Sequence, residues 1–316
     1  MADVPKVQTV TVTDEDAGQR IDNWLLKRLK GVPKTHIYRL LRTGQVRVNK
    51  GRVGPQRKLA AGDLVRVPPV RVAAPDAPRR APDDLLQRVE SRIVYEDEHL
   101  LALDKPAGLA VHGGSGVGFG AIELLRSLRP DARSLELVHR LDRDTSGLLL
   151  VAKRRSALRT LHAALREGRV GKRYLALLVG PWTGGARRVD APLEEHRPEG
   201  GERVTRVGAQ GRNAVSTFIP ERRFRDFVLV AVDIETGRMH QIRVHAVHIG
   251  HPVLGDPKYG DRLRNRAAKA MGLDRMFLHA ARLTFAHPAD GRPMTLEAPL
   301  DGSLKAVLEQ LPAAAG

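Results

Sequence analysis

Apolar residues recur at helical spacing in two segments near the start of the chain. The segments are AGQRIDNWLLKRLKG (residues 17–31) and KTHIYRLLRTG (residues 34–44), and this spacing predicts two amphipathic helices. Their apolar faces contain Ile21, Trp24, Leu25 and Leu29 in the first helix and Ile37, Leu40 and Leu41 in the second. Gly31 and Gly44 stand where a glycine can end each helix.

Two short stretches after these helices alternate between apolar and polar residues. They are QVRVN (45–49) and AGDLVRVP (61–68), and such alternation predicts strands. The sequence Asn49-Lys50-Gly51 favours a tight turn after the first of them. The helices and strands together predict a small domain over residues 18–70.

The next stretch, PPVRVAAPDAPRRAPDDL (68–85), is rich in Pro, Ala and charged residues and has no periodicity. Such a composition buries too little apolar surface to order itself. We therefore predict a linker over residues 71–90.

A larger domain is predicted over residues 91–308, where strand and helix patterns are interspersed. RIVYEDEHLLALDK (92–105) contains two short strands, and a polar loop from His139 to Gly147 precedes an apolar run from Leu148 to Ala152. SALRTLHAALREG (156–168) predicts a helix that Ser156 can cap and Gly168 can end. RYLALLVG (173–180) and FVLVAVDIETG (227–237) read as strands, and HQIRVHAVHIG (240–250) reads as a short helix. Regular βαβ spacing and a glycine-rich phosphate loop are both missing, so the pattern favours a mixed α+β fold over a Rossmann fold.

The charge of the chain points to a polyanionic partner. It carries 53 Lys and Arg against 36 Asp and Glu, a formal net charge of +17. Residues 1–70 alone contain 14 Lys or Arg and 6 Asp or Glu. Nucleic acid is the expected partner. Because only 4% of the residues are aromatic, we expect contact through charge and shape rather than through base stacking.

The chain has no cysteine, which excludes disulfides, thiolate metal sites and cysteine nucleophiles. Its first residues, MADVPKVQTV, lack the features of a signal peptide, and no apolar run is long enough to span a membrane. These features predict a soluble, cytoplasmic protein without a membrane partner.

Chemistry is concentrated in VHRLDRDTSGLLLVAK (138–153). In one interpretation its charges neutralise one another at the surface; in the other, the flanking apolar runs hold a single carboxylate in a partly dry position. Asp142 and Asp144 need not face one cavity, so one carboxylate is the simpler hypothesis. Ser146 lies in TSG rather than in a G-x-S-x-G elbow, which disfavours a serine hydrolase.

Four histidines near residue 245 raise the alternative of a metal site. Their spacings of five, three and three, with no acidic residue before Asp256, do not match helical zinc ligation. We therefore predict no metal. The histidines are His240, His245, His248 and His251.

Residues 18–70 resemble the S4 RNA-binding domain, in which a helix pair precedes a V-x-V-N-G-like turn and a G-D-x-V-x-V ending. Lys50 between Asn49 and Gly51 is a small departure from that pattern. The resemblance implies that basic side chains of this domain contact RNA phosphates, which supply affinity and orientation. The expected contacts are Arg20, Lys27, Lys34, His36, Arg39, Arg42 and Lys50.

Residues 90–300 resemble the RluA family of pseudouridine synthases. Three ordered motifs carry the resemblance: DKPAGLAVHGG, HRLDRDTSGLLLVAK and TGRMHQIRVHAVHIGHPVLGDPKYG. It implies a mixed, mainly antiparallel sheet domain that converts uridine to pseudouridine. Because this reaction is an isomerisation, the resemblance implies no cofactor.

The resemblance also implies roles for individual residues. Asp142, in HRLD, matches the aspartate that attacks the target nucleotide, and Arg140 matches the arginine that displaces the flipped base. Tyr174, in GKRYLAL, would lie against the uracil and take the proton from C5. Arg243, in HQIR, would pair with the catalytic carboxylate and favour its ionised form, and Ile242 would form an apolar pocket wall.

The S4-like domain and the stretch VHGGSGVGFGAIE further imply a ribosomal substrate. The expected partner is 23S ribosomal RNA or an assembly intermediate of the large subunit. We expect a monomer, because no apolar stripe is left over to bind a second subunit. Two alternatives stay open at this point: a non-catalytic RNA-binding or ribosome-assembly factor whose charged loop is a structural ion-pair cluster, and a nucleic-acid hydrolase.

Overall fold

We describe the protein from a computed structural model. The structure describes residues 7–29, 31–70, 81–113, 118–132, 134–196 and 204–314. The chain forms two compact units, Met1–Arg80 and Ala81–Gly316.

The first unit contains the two predicted helices and a small antiparallel sheet. Its elements are β1 (Gln8–Thr11), α1 (Ile21–Arg28), α2 (Lys34–Arg42), β2 (Arg47–Val48), β3 (Gly51–Arg52) and β4 (Leu64–Val67). The strands are ordered β1-β4-β2-β3. The residues of the two predicted apolar faces are buried together with Val46 and Val65, except for Leu29, which is half-buried.

The predicted turn joins β2 to β3 and requires an unusual backbone. Asn49 and Lys50 both have left-handed φ angles, 49° and 69°, as in the two-residue hairpin turns that match strand twist. Gly44, with a φ of 70°, follows the last turn of α2, so the predicted helix end is confirmed.

The second unit contains a ten-stranded sheet covered by helices and a separate two-stranded sheet, formed by β11 and β12 of the elements that follow. Its elements are α3 (Asp83–Glu90), β5 (Ile93–Glu96), β6 (Leu100–Lys105), α4 (Ala121–Leu128), β7 (Glu136–Leu137), β8 (Ser146–Ala152), α5 (Arg155–Arg166), β9 (Gly171–Val179), β10 (Arg187–Asp190), β11 (Leu193–His196), β12 (Val204–Val207), β13 (Val215–Arg223), β14 (Phe227–Ile234), α6 (Gln241–His248), α7 (Arg262–Ala270), β15 (Leu278–Ala286), β16 (Pro293–Glu297) and α8 (Gly302–Gln310).

Strand order in this sheet is β10-β13-β14-β9-β15-β8-β6-β5, with β16 beside β15 and β7 beside β8. The pairing of β8 with β15 is parallel, and the other pairs in the sheet are antiparallel. The predicted mixed α+β, mainly antiparallel architecture is therefore confirmed.

Strand β8 explains why the central motif ends in a continuous apolar run. All seven of its residues are buried, because both faces of the sheet are covered. Leu149 and Val151 belong to the core that includes α3 and α4. Leu148 and Leu150 belong to the core that includes α5. A strand buried on both faces loses the alternation that marks a half-exposed one.

Two predictions about local structure are wrong. The predicted linker over residues 71–90 includes α3, whose Val89 is fully buried in the core of the second unit, as is Ala81 nearby; residues 71–80 lie outside the described residues. A short amphipathic helix that docks on a core can be ordered despite a Pro- and charge-rich flank. Ser156 does not cap α5, because that helix already begins at Arg155 with Arg154 at its N-cap.

Among the described helices, none combines the length and apolar character needed to cross a membrane.

Candidate active site

The loop that precedes β8 is anchored at both ends. At its start, the His139 Nε2 accepts a 3.1 Å hydrogen bond from the Leu150 backbone N–H. Burial lowers the pKa of His139 to about 4, so the imidazole is neutral and able to accept. At its end, Gly147 has a φ of 102°, and a Cβ there would lie 2.3 Å from the Ala280 carbonyl oxygen. Glycine is therefore required where β8 meets β15.

Asp142 lies between these anchors and pairs with a residue far away in sequence. Its Oδ2 accepts a 3.2 Å hydrogen bond from Nη1 of Arg243, in the first turn of α6. The Asp142 side chain is 20% exposed and that of Arg243 is 7% exposed. The next charged residue, Arg143, donates to the Gly108 carbonyl instead. The interpretation of the loop as a self-neutralising charge cluster is therefore wrong.

Arg243 is held by a second, fully buried carboxylate. Its Nε and Nη2 donate hydrogen bonds of 2.7 and 2.8 Å to the two oxygens of Asp256. Burial alone would raise the pKa of Asp256, but the hydrogen bonds and charge of Arg243 outweigh it, and the pKa is lowered. Backbone N–H groups of Lys258 and Tyr259 also donate to Asp256. These two hydrogen bonds to Asp256 orient the remaining guanidinium nitrogen towards Asp142.

His240 completes the surroundings of Asp142. It adopts a left-handed φ of 56° at the N-cap of α6, a strained conformation for a non-glycine residue. Its Nε2 is 3.8 Å from Asp142 Oδ2, and its Nδ1 is 2.8 Å from the Tyr259 hydroxyl. Burial lowers the pKa of His240, so the ring is neutral at neutral pH and contributes a dipole rather than a charge.

Tyr174, on β9, shares a pocket with the Asp142–Arg243 ion pair. Asp142, Tyr174 and Arg243 line a cavity of about 90 Å³ together with apolar side chains that include Ile234 and Leu278. Burial, and then the charge of Asp142, raise the pKa of Tyr174. The phenol is therefore protonated at neutral pH. The lining of the pocket thus combines the Asp142–Arg243 ion pair with apolar side chains.

A buried lysine ties the loop to the segment after β6. Lys105 is fully buried, and its ammonium donates to the carbonyls of Pro106, Leu109 and Arg143 at 2.9 to 3.0 Å. Burial lowers the pKa of Lys105 to about 7. The backbone of Gly108 also donates to Arg143 at 2.9 Å. These contacts hold the residue next to Asp142 in place.

The other predicted pocket residues divide between two places. Arg140 and Ile242 line the same cavity as Asp142; Arg140 is exposed and Ile242 is buried. Asp144 instead lines a separate, larger cleft beside α7. The structure therefore places one of the two loop carboxylates in the pocket, as the single-carboxylate hypothesis requires.

The residues considered for other chemistries have structural contacts. His245 is bonded to Ser216 Oγ and the Ala191 carbonyl, both at 3.0 Å. Ser146 Oγ is 2.8 Å from His279 Nδ1, but the other nitrogen of His279 contacts the Ala298 carbonyl rather than a carboxylate. Ser146 and His279 are both buried, so this pair does not form an accessible hydrolase triad.

One predicted RNA contact of the first unit, Arg20, is engaged by a carboxylate, and three others line one cavity. Arg20 is held by Asp22 through hydrogen bonds of 3.1 and 2.6 Å. Lys34, Arg39 and Arg42 line one open cavity along α2. Arg39 also contacts His36 Nδ1 at 3.1 Å. The two remaining candidates, Lys27 and Lys50, are exposed. Their contacts with RNA stay a prediction.

Sequence reasoning missed three residues that shape the site: Asp256, His240 and Tyr259. Asp256 and Tyr259 stand in the motif TGRMHQIRVHAVHIGHPVLGDPKYG, but their spacing does not show which cation or ring they contact. A second carboxylate partner for Arg243 could have been expected, because a buried arginine usually needs more than one acceptor.

The sequence of the chain matches two family models and several curated relatives. Residues 99–248 match a family model described as RNA pseudouridylate synthase, and residues 19–65 match the S4 domain. The ribosomal large subunit pseudouridine synthase C of Yersinia pestis is 54% identical to this chain, over 95% of it and 94% of the relative. The protein of the same name from Escherichia coli (strain K12) is 53% identical over 98% of each chain.

Two solved structures are similar to this chain. Human RNA Pseudouridylate Synthase Domain Containing 4 is similar with a TM-score of 0.59 and 26% identity, over 74% of this chain and 98% of that chain. Human RNA Pseudouridylate Synthase Domain Containing 1 is similar with a TM-score of 0.58 and 25% identity, over 76% and 91%.

Proposed function

The chain belongs to the RNA pseudouridylate synthase family, and from this premise we propose that it isomerises specific uridines of 23S ribosomal RNA to pseudouridine. The full-length relatives named for the large ribosomal subunit support this choice of RNA. Free 23S RNA or an assembly intermediate of the subunit is the substrate.

The observation that carries the proposal is the position of Asp142. A partly buried carboxylate, oriented by Arg243, lines a pocket that also contains Tyr174 and apolar side chains. The reaction breaks the bond from N1 to C1′, turns the uracil and joins C5 to C1′, while C5 loses a proton and N1 gains one. Asp142 acts at the ribose, either by attack on C1′ or by assisting a glycal path. Both routes need the ion pair with Arg243.

The pocket residues divide the remaining tasks. The small cavity does not admit a stacked nucleotide, so the uridine must be everted, and Arg140 at the rim is suited to take its place in the helix. Tyr174 and Ile242 provide the flat apolar surface on which the uracil turns. The Tyr174 hydroxyl is the proton-transfer group: because it is protonated, it gives up its own proton as it takes the one from C5, and the balance closes when N1 gains a proton.

We test the catalytic proposal with Asp142→Asn and the control Asp144→Asn, which lies two residues away outside the pocket. Wild type and the control release tritium from ribosomal RNA labelled at C5 of uridine, whereas Asp142→Asn releases none and still binds RNA. Tritium release by Asp142→Asn overturns the assignment. RNA binding without release by wild type indicates a non-catalytic factor, and strand cleavage indicates a hydrolase.

We propose that the first unit binds RNA through the exposed side of α2. Lys34, Arg39 and Arg42 converge there without carboxylate partners among the described residues. Removal of one cation that binds a phosphate should lower the slope of log affinity against log salt by about 0.7 to 0.9. Arg20 contributes less, because Asp22 already neutralises it.

The experiment compares two double variants that remove the same charge. Arg39→Ala with Arg42→Ala should weaken RNA binding and flatten its salt dependence. Arg159→Ala with Arg166→Ala, on exposed positions of α5, should leave the slope unchanged. Equal effects of the two pairs contradict a dedicated surface on α2.

We propose that the protein is cytoplasmic, because its proposed substrate is found there. We also propose that it is a monomer. The large apolar side chains exposed in the described residues are scattered rather than contiguous: Val7, Leu64, Val94, Val247 and Leu263. Sedimentation velocity of the purified chain at micromolar concentration tests this; a dimer mass contradicts it.

A further inference from the structure

Lys172 stands beside the candidate active site but takes no part in the proposed catalysis. It lies on β9 two residues before Tyr174, and side chains two apart on a strand share one face of the sheet. A Cβ built on Gly237, which lines the pocket, would be 3.8 Å from the Lys172 ammonium. The ammonium is therefore next to the pocket wall and outside its lining.

The Lys172 ammonium differs from two other cations of the second unit because it has no partner. Within the part of the chain that the structure describes, its side chain makes no hydrogen bond or ion pair. Its neighbour Arg173 is held by both oxygens of Asp233, at 2.8 and 2.7 Å, and Lys153 pairs with Glu96 at 2.7 Å. A half-buried ammonium without a partner is unfavourable in the free protein.

The surroundings of Lys172 add positive charge. Burial and the charge of Arg238 lower the pKa of Lys172. Arg238 lines the pocket and donates to the Asn213 carbonyl at 3.0 Å, but it has no carboxylate partner among the described residues. Arg140, also at the rim, is exposed. The nearby carboxylate of Asp142 is already engaged by Arg243.

We propose that Lys172 and Arg238 bind a backbone phosphate that flanks the everted uridine, and so position the nucleotide over Asp142. The inference rests on the proposed function. Phosphodiesters are the anions that an RNA substrate offers, and they stay at the rim when base and ribose enter a pocket. The single negative charge of an arriving phosphodiester would attract both cations and relieve their mutual repulsion.

The test uses the full chain with Lys172→Met, which keeps the apolar stem, Lys172→Arg, which keeps the charge, and Lys305→Met, which removes an exposed lysine from α8. Lys172→Met should raise KM about 10-fold or more, with little change in kcat. It should lower the salt slope of RNA binding by about 0.7 to 0.9. Lys172→Arg should restore most of the KM, and Lys305→Met should match wild type.

A purely structural role is distinguished by stability and by substrate chemistry. Lys172→Met should unfold at the wild-type temperature or above it, because it removes an unpaired half-buried charge. An RNA with one neutral methylphosphonate, at the 5′ or the 3′ side of the target uridine, should cost wild type at least as much as the variant loses. The same RNA should cost Lys172→Met less than it costs wild type, because only the Arg238 contact is left to lose.

Three results overturn the inference. The first is that Lys172→Met leaves KM and the salt slope unchanged, and the second is that it lowers only kcat. The third is that the loss caused by Lys172→Met multiplies with the loss caused by each of the two methylphosphonates. Absence of tritium release by wild type is the failure of the proposed function. In that case the salt slopes of wild type and Lys172→Met still decide whether Lys172 contacts a phosphate.

Discussion

Arg243 reaches Asp142 across 101 residues of sequence and donates a single hydrogen bond of 3.2 Å to its Oδ2. The stronger, two-point contact of the guanidinium goes to Asp256. One cation is thus shared by two carboxylates, and the second of them is buried away from the pocket. Asp142 is oriented through one oxygen, which leaves its other lone pairs for the ribose.

The Asp256→Asn variant should therefore lose both stability and activity. Breaking a buried pair leaves the Arg243 charge uncompensated, and we expect the free energy of unfolding to fall by about 3 kcal/mol. We expect kcat to fall about 100-fold, because a small displacement of Arg243 misplaces Asp142. Urea unfolding and tritium release measure the two effects.

Asp226→Asn is the control, since its carboxylate is exposed and forms only a long surface ion pair with Arg264, at 3.9 Å. It should match wild type in both assays. If Asp256→Asn keeps the wild-type kcat, the grip of Asp256 on Arg243 has no catalytic importance.

Features set by residues close together in the sequence could be predicted from it, whereas contacts between residues far apart in the sequence could not. The helices α1 and α2 were predicted because a repeating apolar face is visible locally. Strand β15 was not, because it is buried along its first residues and alternates only later, so neither period dominates. The pairing of Asp142 with Arg243 came from family resemblance, since spacing alone says nothing about residues this far apart.

Two variants separate the tasks of Tyr174. Tyr174→Phe keeps the apolar wall, so its stability should stay within about 1 kcal/mol of wild type. Its kcat should fall about 100- to 10,000-fold, the usual range for loss of a proton-transfer group. Tyr174→Ala should also lose about 3 kcal/mol of stability to the cavity it creates. Full activity of Tyr174→Phe would mean that the ring, not the hydroxyl, is what the reaction uses.

Asp97 predicts a specific loss of stability in acid. Its carboxylate accepts hydrogen bonds from the backbone of His99 and Leu100, the Tyr95 hydroxyl and His287. Burial would raise its pKa, but these hydrogen bonds outweigh it and lower the pKa to about 2. The stabilisation is present above the unfolded-state pKa of about 3.9 and disappears as the pH falls towards 2.

Asp97→Asn should therefore be about 2 kcal/mol less stable than wild type at pH 6, and this gap should shrink below pH 3.5. Urea unfolding between pH 2.5 and 6 measures it. Asp290→Asn, which removes the more exposed carboxylate on the other nitrogen of His287, should show a much smaller gap. A gap for Asp97→Asn that is independent of pH contradicts the assignment.

The position of α3 makes a sharp prediction about where the two units can be separated. Deletion of residues 1–80 removes the first unit and leaves the second intact. This truncation should fold, retain kcat and show a raised KM, because the basic surface of α2 is absent from it.

Deletion of residues 1–90 also removes Ala81 and Val89, which are buried against the sheet. It should lower the free energy of unfolding by a further ~2 kcal/mol or more. Thermal unfolding and tritium release on the same RNA compare the two chains. If both truncations are equally stable, α3 does not belong to the core of the second unit; if deletion of 1–80 leaves KM unchanged, the first unit does not bind the substrate.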